Sequence, residues 1–180
     1  MSSRLESARL VLTPLQFTDA NDLHQAVRES LADLKEQFIW AEEPFTIRNA
    51  QTIVQESIAN QRDGKLISYG IRSKTGRFMG TLTLKEAPDM LGRKVPMHHV
   101  EIWIRSPDKA QGYTSEALQV ATDAALKSGE SRRLFTMLKA GDATAAAYQQ
   151  AGYQQEATLK NACLASDGSV LSVTLLAKTV

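Results

Sequence analysis

The chain of 180 residues fits one domain and can bury a core without disulfide or metal staples. A formal net charge of +1 excludes a whole-protein field drawing it to nucleic acid or to an anionic membrane. Its single cysteine, Cys163, excludes an intrachain disulfide and a cysteine zinc cluster, and no stretch reaches the roughly 18 apolar residues of a membrane span. The charged N-terminus, MSSRLESARL, has no apolar signal region, so a cytoplasmic protein is expected.

Arg9–Leu15 alternates in polarity and reads as a strand, with Pro14 near its end. Capping and acidic residues in Thr18–Asp22 open a helix that runs through Leu23 and Val27 to about Leu31. A second short helical stretch is expected over Leu34–Trp40, with a break at Glu42, Glu43 and Pro44. Ile53, Val54, Ile58 and Ala59 share one face of a longer helix over about Arg48–Arg62. The period then changes to two. Leu66–Arg72 and Arg77–Leu84 read as strands joined at Ser73-Lys74-Thr75-Gly76. Ala87–Met97, which carries Arg93 and Lys94 among its prolines and glycine, reads as a loop, and His99–Arg105 as a strand. A helix begins near Gly112 and runs to Lys127, Leu134–Leu138 is a strand, and Thr144–Ala151 is a short helix. Gln154–Asn161 and, after the Asp167-Gly168 turn, Val170–Lys178 close the chain as strands. The order implies a single mixed α/β domain over residues 1–180.

The segment from Ser106 to Leu118 joins a strand to a helix with small and polar residues. Such a turn leaves backbone N–H groups unpaired at the helix start, and with the helix dipole these form an anion seat suited to a pyrophosphate. Gly112 permits close backbone approach or a positive φ. The plainer alternative is a turn capped by Thr114 or Ser115. It is not a Walker A loop, which needs Gly-Lys-Ser/Thr, nor a dinucleotide fingerprint, which needs further glycines.

Asp108–Leu118, DKAQGYTSEAL, resembles the acetyl-CoA turn of the GNAT acetyltransferases, whose pattern is Gln/Arg-x-x-Gly-x-Gly/Ala followed by a helix start. Gly112 fits the glycine, and Ser115 to Leu118 fit the tail. Lys109 stands where Gln/Arg is usual, keeping a charge without the planar fork, and Thr114 stands where Gly/Ala is usual. Asp142–Tyr153 resembles the family's Asn-x-x-Ala/Ser-x-x-Leu-Tyr-x-x-x-Gly-Phe helix. Tyr148 falls on its tyrosine, Thr144 on Ala/Ser, and Gly141 or Asp142 on the missing asparagine. Ser7–Leu15 is similar to the Thr-x-Arg-Leu-x-Leu-Arg-Pro-Leu opening of the Rim-type ribosomal-protein branch, and Phe78–Leu82 to its Ile-Gly-x-Ile/Leu strand.

The resemblance implies a central, mostly antiparallel sheet of about seven strands with a splayed pair, flanked by helices. It implies acetyl-CoA as donor and an amine as acceptor, attacking directly and without a metal. The donor would be held by Ile102, Ile104, Arg105, Lys109, Ala110, Gln111, Gly112, Tyr113, Thr114, Ser115 and Asp142. Expelling a thiolate calls for a neighbouring hydroxyl, and the family match assigns it to Tyr148, with Thr144 in competition. The alternative for Tyr148 is a core aromatic with its hydroxyl tied off.

Val100-Glu101-Ile102 resembles the family's Ala-Glu-Ile/Leu strand. A partly buried carboxylate suits deprotonation of the amine, which makes Glu101 the candidate base, with His98 and His99 near enough in sequence to share the work. Its alternative is a surface charge. Phe38, Trp40, Glu42, Glu43 and Phe45 offer aromatic and acidic groups to a cationic acceptor, either a protein N-terminus or a small-molecule amine. Edge strands leave room for a homodimer without specifying one. The competing function is a module that keeps the GNAT fold for binding alone.

Overall fold

The structure is a computed structural model that describes residues 4–88, 95–165 and 168–180. Arg93, Lys94 and Asp167 lie outside the described residues. The strands are β1 (Leu5–Glu6), β2 (Leu10–Pro14), β3 (Leu66–Ser73), β4 (Phe78–Glu86), β5 (Met97–Ile104), β6 (Arg133–Lys139), β7 (Gln154–Leu164) and β8 (Val170–Thr179). The helices are α1 (Ala20–Leu34), α2 (Ile47–Arg62), α3 (Tyr113–Lys127) and α4 (Ala145–Gln150). One sheet holds all of the strands in the order β1-β2-β3-β4-β5-β6-β8-β7, antiparallel except for β5 against β6. The expected mixed fold is present, with the two-residue β1 added to the seven strands read from the sequence.

The two faces of the sheet carry different cores. Alternation along β5 sends Val100, Ile102 and Ile104 to one face, where they pack with Ala117, Leu118 and Ala121 of α3 and with Tyr148. It sends Trp103 to the other, with Leu23, Val27, Ala50 and Val54 of α1 and α2. The apolar spacing of α1 explains its docking: Leu23, Ala26, Val27, Ser30 and Leu34 are buried on one stripe. Thr46 starts α2 through a reciprocal cap with Asn49. Each fully buried leucine, such as Leu82 or Leu118, contributes about 2 kcal/mol through removal from water.

Gly80 shows why β4 can lie so close to β5. A Cβ there would sit well inside contact distance of the Trp103 carbonyl, at a φ of +153°. The β4–β5 pairing runs from Gly80 opposite Ile104 to Glu86 opposite His98 without a register shift.

The expected helix over Leu34–Trp40 is not formed. α1 runs past Leu31 to Leu34, and the chain then makes turns, with the N–H of Phe38 bonded to Leu34 O and that of Ala41 to Phe38 O. Aromatic packing decides this path. Trp40 stands between Phe38, Phe45 and Trp103, at ring distances of 5.3, 6.2 and 6.4 Å.

Candidate active site

The site begins where two parallel strands part. β5 and β6 pair only through Met97–Arg133, His98–Leu134 and His99–Phe135, and β5 then continues alone to Ile104. The N–H of Arg105 bonds Met79 O, and the carbonyl of Met97 accepts from Ala87. By the two-residue alternation, Val100, Ile102 and Ile104 therefore turn their backbone groups to the side where β6 has diverged. Their side chains are core, so Ile102 and Ile104 offer the gap main-chain donors and acceptors rather than side-chain chemistry.

The open stretch of β5 leads to the turn. Ser106–Asp108 is one turn of 3-10 helix, Ala110 takes a φ of 65°, and Gly112 caps α3 in the left-handed region at a φ of 77°. No side chain caps α3. Ser115 Oγ instead donates to Gly112 O at 3.0 Å, and Thr114 does not cap. Among the described residues, nothing accepts the N–H groups of Ala110, Gln111, Gly112, Tyr113, Thr114 or Ser115. These residues are exposed or half-buried, so their N–H groups are open to a ligand.

The two cations of the segment are engaged elsewhere. The buried Arg105 guanidinium pairs with Glu29 and bonds Phe78 O, with Asp108 at 3.8 Å. Lys109 Nζ pairs with Asp33 at 2.8 Å, and Lys109 and the Ser106 hydroxyl together hold the Asp33 carboxyl below its ordinary range. Asp142 accepts the N–H of Thr144 at 2.7 Å in the turn that leads into α4.

Tyr148 comes from α4 to the vertex of the gap. Its hydroxyl donates to Val100 O at 3.0 Å, at the first β5 carbonyl beyond the pairing with β6. Burial pushes its pKa up, so the phenol holds its proton at every working pH. Thr144 is half-buried, and its hydroxyl makes no hydrogen bond among the described residues.

Glu101 lies on the opposite face, beside a cavity of about 70 Å³. Ser68, Thr81 and Thr83 supply the cavity's hydroxyls, and Phe38, Trp40 and Trp103 its aromatic wall. Ser68 and Thr83 are hydrogen-bonded to each other at 2.8 Å. Glu101 is partly exposed and stands 3.4 Å from His99 Nδ1. Burial lowers the His99 pKa against the pull of Glu101, and His99 Nε2 is buried without a partner. His98 sits apart, with Nδ1 3.1 Å from Ser131 Oγ. Phe45 is core and packs against Trp40, while Glu42 and Glu43 are exposed. The hydroxyls of Ser68 and Thr83 were not singled out from sequence; only the registers of β3 and β4 bring them beside Glu101.

The profile of the acetyltransferase (GNAT) domain matches residues 9–158. The chain belongs to the GNAT acetyltransferase family. Solved structures agree on the GNAT fold. RimL, a ribosomal alpha-N-protein acetyltransferase in complex with coenzyme A, superposes with a TM-score of 0.85 at 20% identity, covering 97% of this chain and 96% of its own. The microcin self-immunity acetyltransferase MccE, in complex with acetyl-CoA and AMP, gives 0.85 at 13% identity over 97% of this chain and 94% of its own. RimJ of Mycobacterium smegmatis, in complex with a CoA disulfide, gives 0.78 at 20% identity over 98% and 86%. No curated protein sequence matches this GNAT chain significantly. Among its described residues no helix is long and apolar enough to cross a membrane, and no cluster of His, Cys, Asp and Glu gathers in the manner of a metal site.

Proposed function

We propose that this protein is a cytoplasmic N-acetyltransferase that moves the acetyl group of acetyl-CoA directly to a primary amine, in first place the amine of a protein N-terminus. One observation carries the reading: the open backbone of β5 ends in a turn of bare N–H donors, with Glu101 and a small aromatic cavity on the other side of the same strand. The donor supplies a thioester whose thiolate can leave. Backbone groups of Ile102 and Ile104 hold its arm as an added strand would, and the turn from Ala110 to Ser115 receives its phosphates. Glu101 takes the amine proton, directly or through water, and His99 stands behind it as the next acceptor. Ser68, Thr83 and the aromatic wall position the amine.

Tyr148 donates a hydrogen bond to the leaving sulfur, exchanging its bond to Val100 O for that one. A second assignment has its own support, because the Thr144 hydroxyl is unengaged. Tyr148→Phe is expected to lower kcat about tenfold or more and to leave CoA affinity within about twofold, with Thr144→Ala near wild type. The reverse pattern transfers the role to Thr144.

The likeness to RimL and RimJ favours an N-terminal amine, and the likeness to MccE keeps small-molecule amines in the screen. Calorimetric titration with acetyl-CoA and CoA tests the donor site first. Micromolar binding supports the enzyme, and an N-terminal-peptide and amine screen follows. Absence of binding leaves a fold retained for interaction.

A further inference from the structure

Lys109 occupies the place of the usual planar side chain, yet its charge is spent on Asp33. A different cation reaches the turn. Arg9 precedes β2, which is separated from β5 in the sheet by β3 and β4, yet its side chain arrives at the start of α3. Its Nη1 donates to Gln111 O at 2.9 Å, its Nε to Glu116 Oε2 at 2.6 Å, and its backbone N–H to Glu116 Oε1 at 2.8 Å. Ser7 Oγ adds a bond to Glu116 Oε1 at 2.7 Å. The guanidinium lies 4.4 Å from the centre of the Tyr113 ring, and a Cβ at Gly112 would be 3.5 Å from its Nη2.

We propose that Arg9 is the positioning residue of the donor turn, a latch that orients the Gln111–Gly112 peptide and cancels the Glu116 charge beside the phosphate seat. The inference rests on the reading of that turn as the donor site. Two physical consequences follow from the bonds. In a trans peptide the C=O and N–H point in opposite directions, so drawing Gln111 O onto Arg9 turns the Gly112 N–H away from it, and that N–H is free. Glu116 belongs to the first turn of α3, where a lone carboxylate repels an incoming phosphate. Burial pushes the Glu116 pKa up, but the Ser7 and Arg9 bonds outweigh it and hold the group ionised. Arg9 is therefore the partner of a permanent anion. A fork that serves a carbonyl and a carboxylate together belongs to arginine and not to lysine.

Calorimetric titration with CoA and with S-acetylpantetheine, which lacks the pyrophosphate and nucleotide, tests the latch. Arg9→Ala is expected to weaken CoA about tenfold and to leave S-acetylpantetheine within about twofold. Adding Glu116→Gln to Arg9→Ala should recover about threefold of the CoA affinity by removing the bared charge. Unchanged CoA affinity, or equal losses for both ligands, overturns the latch. Should Arg9→Ala not fold, Arg9→Lys carries the test: it keeps the ion pair but not the second bond to Gln111. It should weaken CoA about threefold, selectively over S-acetylpantetheine, and unchanged affinity overturns the proposal. A wild-type protein that binds no CoA overturns the donor-site reading itself, and the latch with it.

Discussion

The two sides of β5 proposed for donor and acceptor are built from different materials. On the proposed donor side most of the groups on offer are main-chain, the edges of Val100, Ile102 and Ile104 and the free N–H groups from Ala110 to Ser115, with the Tyr148 phenol beside them. On the acceptor side they are side chains: Glu101, Ser68, Thr83, Phe38, Trp40 and Trp103. A seat made of backbone depends on chain path, and side chains bear on it by fixing that path, as Arg9 does at Gln111 O. Lys109 and Thr114 stand at positions that depart from the family pattern, and the N–H groups of the turn are free beside them. A pocket made of side chains changes its chemistry with each residue, and in the proposed function it is this pocket that selects the acceptor.

This division can be broken by variants that should affect one side only. The largest effect is expected from Glu101→Gln, about a hundredfold in kcat, with an unchanged CoA titration. A CoA affinity that falls with it would show the two sides to be one. Gly112→Val forces a β-branched residue into the left-handed region at a φ of 77°. It should raise the acetyl-CoA KM about tenfold and leave the amine KM alone; a normal acetyl-CoA KM would mean that the turn's path does not matter. The smallest effect is expected from Trp40→Ala, which opens the aromatic wall: about fivefold in the amine KM, read in the same assay, with the acetyl-CoA KM constant. Equal changes in both constants would place Trp40 in the general packing.

The elements were largely legible because periodicity reports which face is buried. The helical spacing of α2 and the strand pattern of β3, β4 and β5 appear in the order of apolar residues, although of the α2 face read from sequence Val54 is buried and Ala59 is exposed. Leu34–Trp40 misled, because its aromatics serve a three-way stack with Phe45 and Trp103 rather than a helix face. The two-residue β1 is too short to show a period. Gly112, Tyr148 and Glu101 were singled out through the glycine of a strand-to-helix turn, a tyrosine spaced as in the family pattern and a carboxylate on a strand, and the structure sets them around the open stretch of β5.

By itself the sequence determined the element types, the mixed α/β class, the family resemblance and the position of the turn, since these follow from local pattern and spacing. Only the tertiary structure decided where β5 leaves β6, because that depends on pairing between strands some 35 residues apart, Met97 with Arg133. It alone brought Arg9 to Gln111 and Glu116, more than a hundred positions away in the chain. It alone sent Lys109 to Asp33 and gave Ser68 and Thr83 to the pocket of Glu101. Such partnerships are set by packing of distant segments, and no local pattern encodes which charge or hydroxyl will meet which.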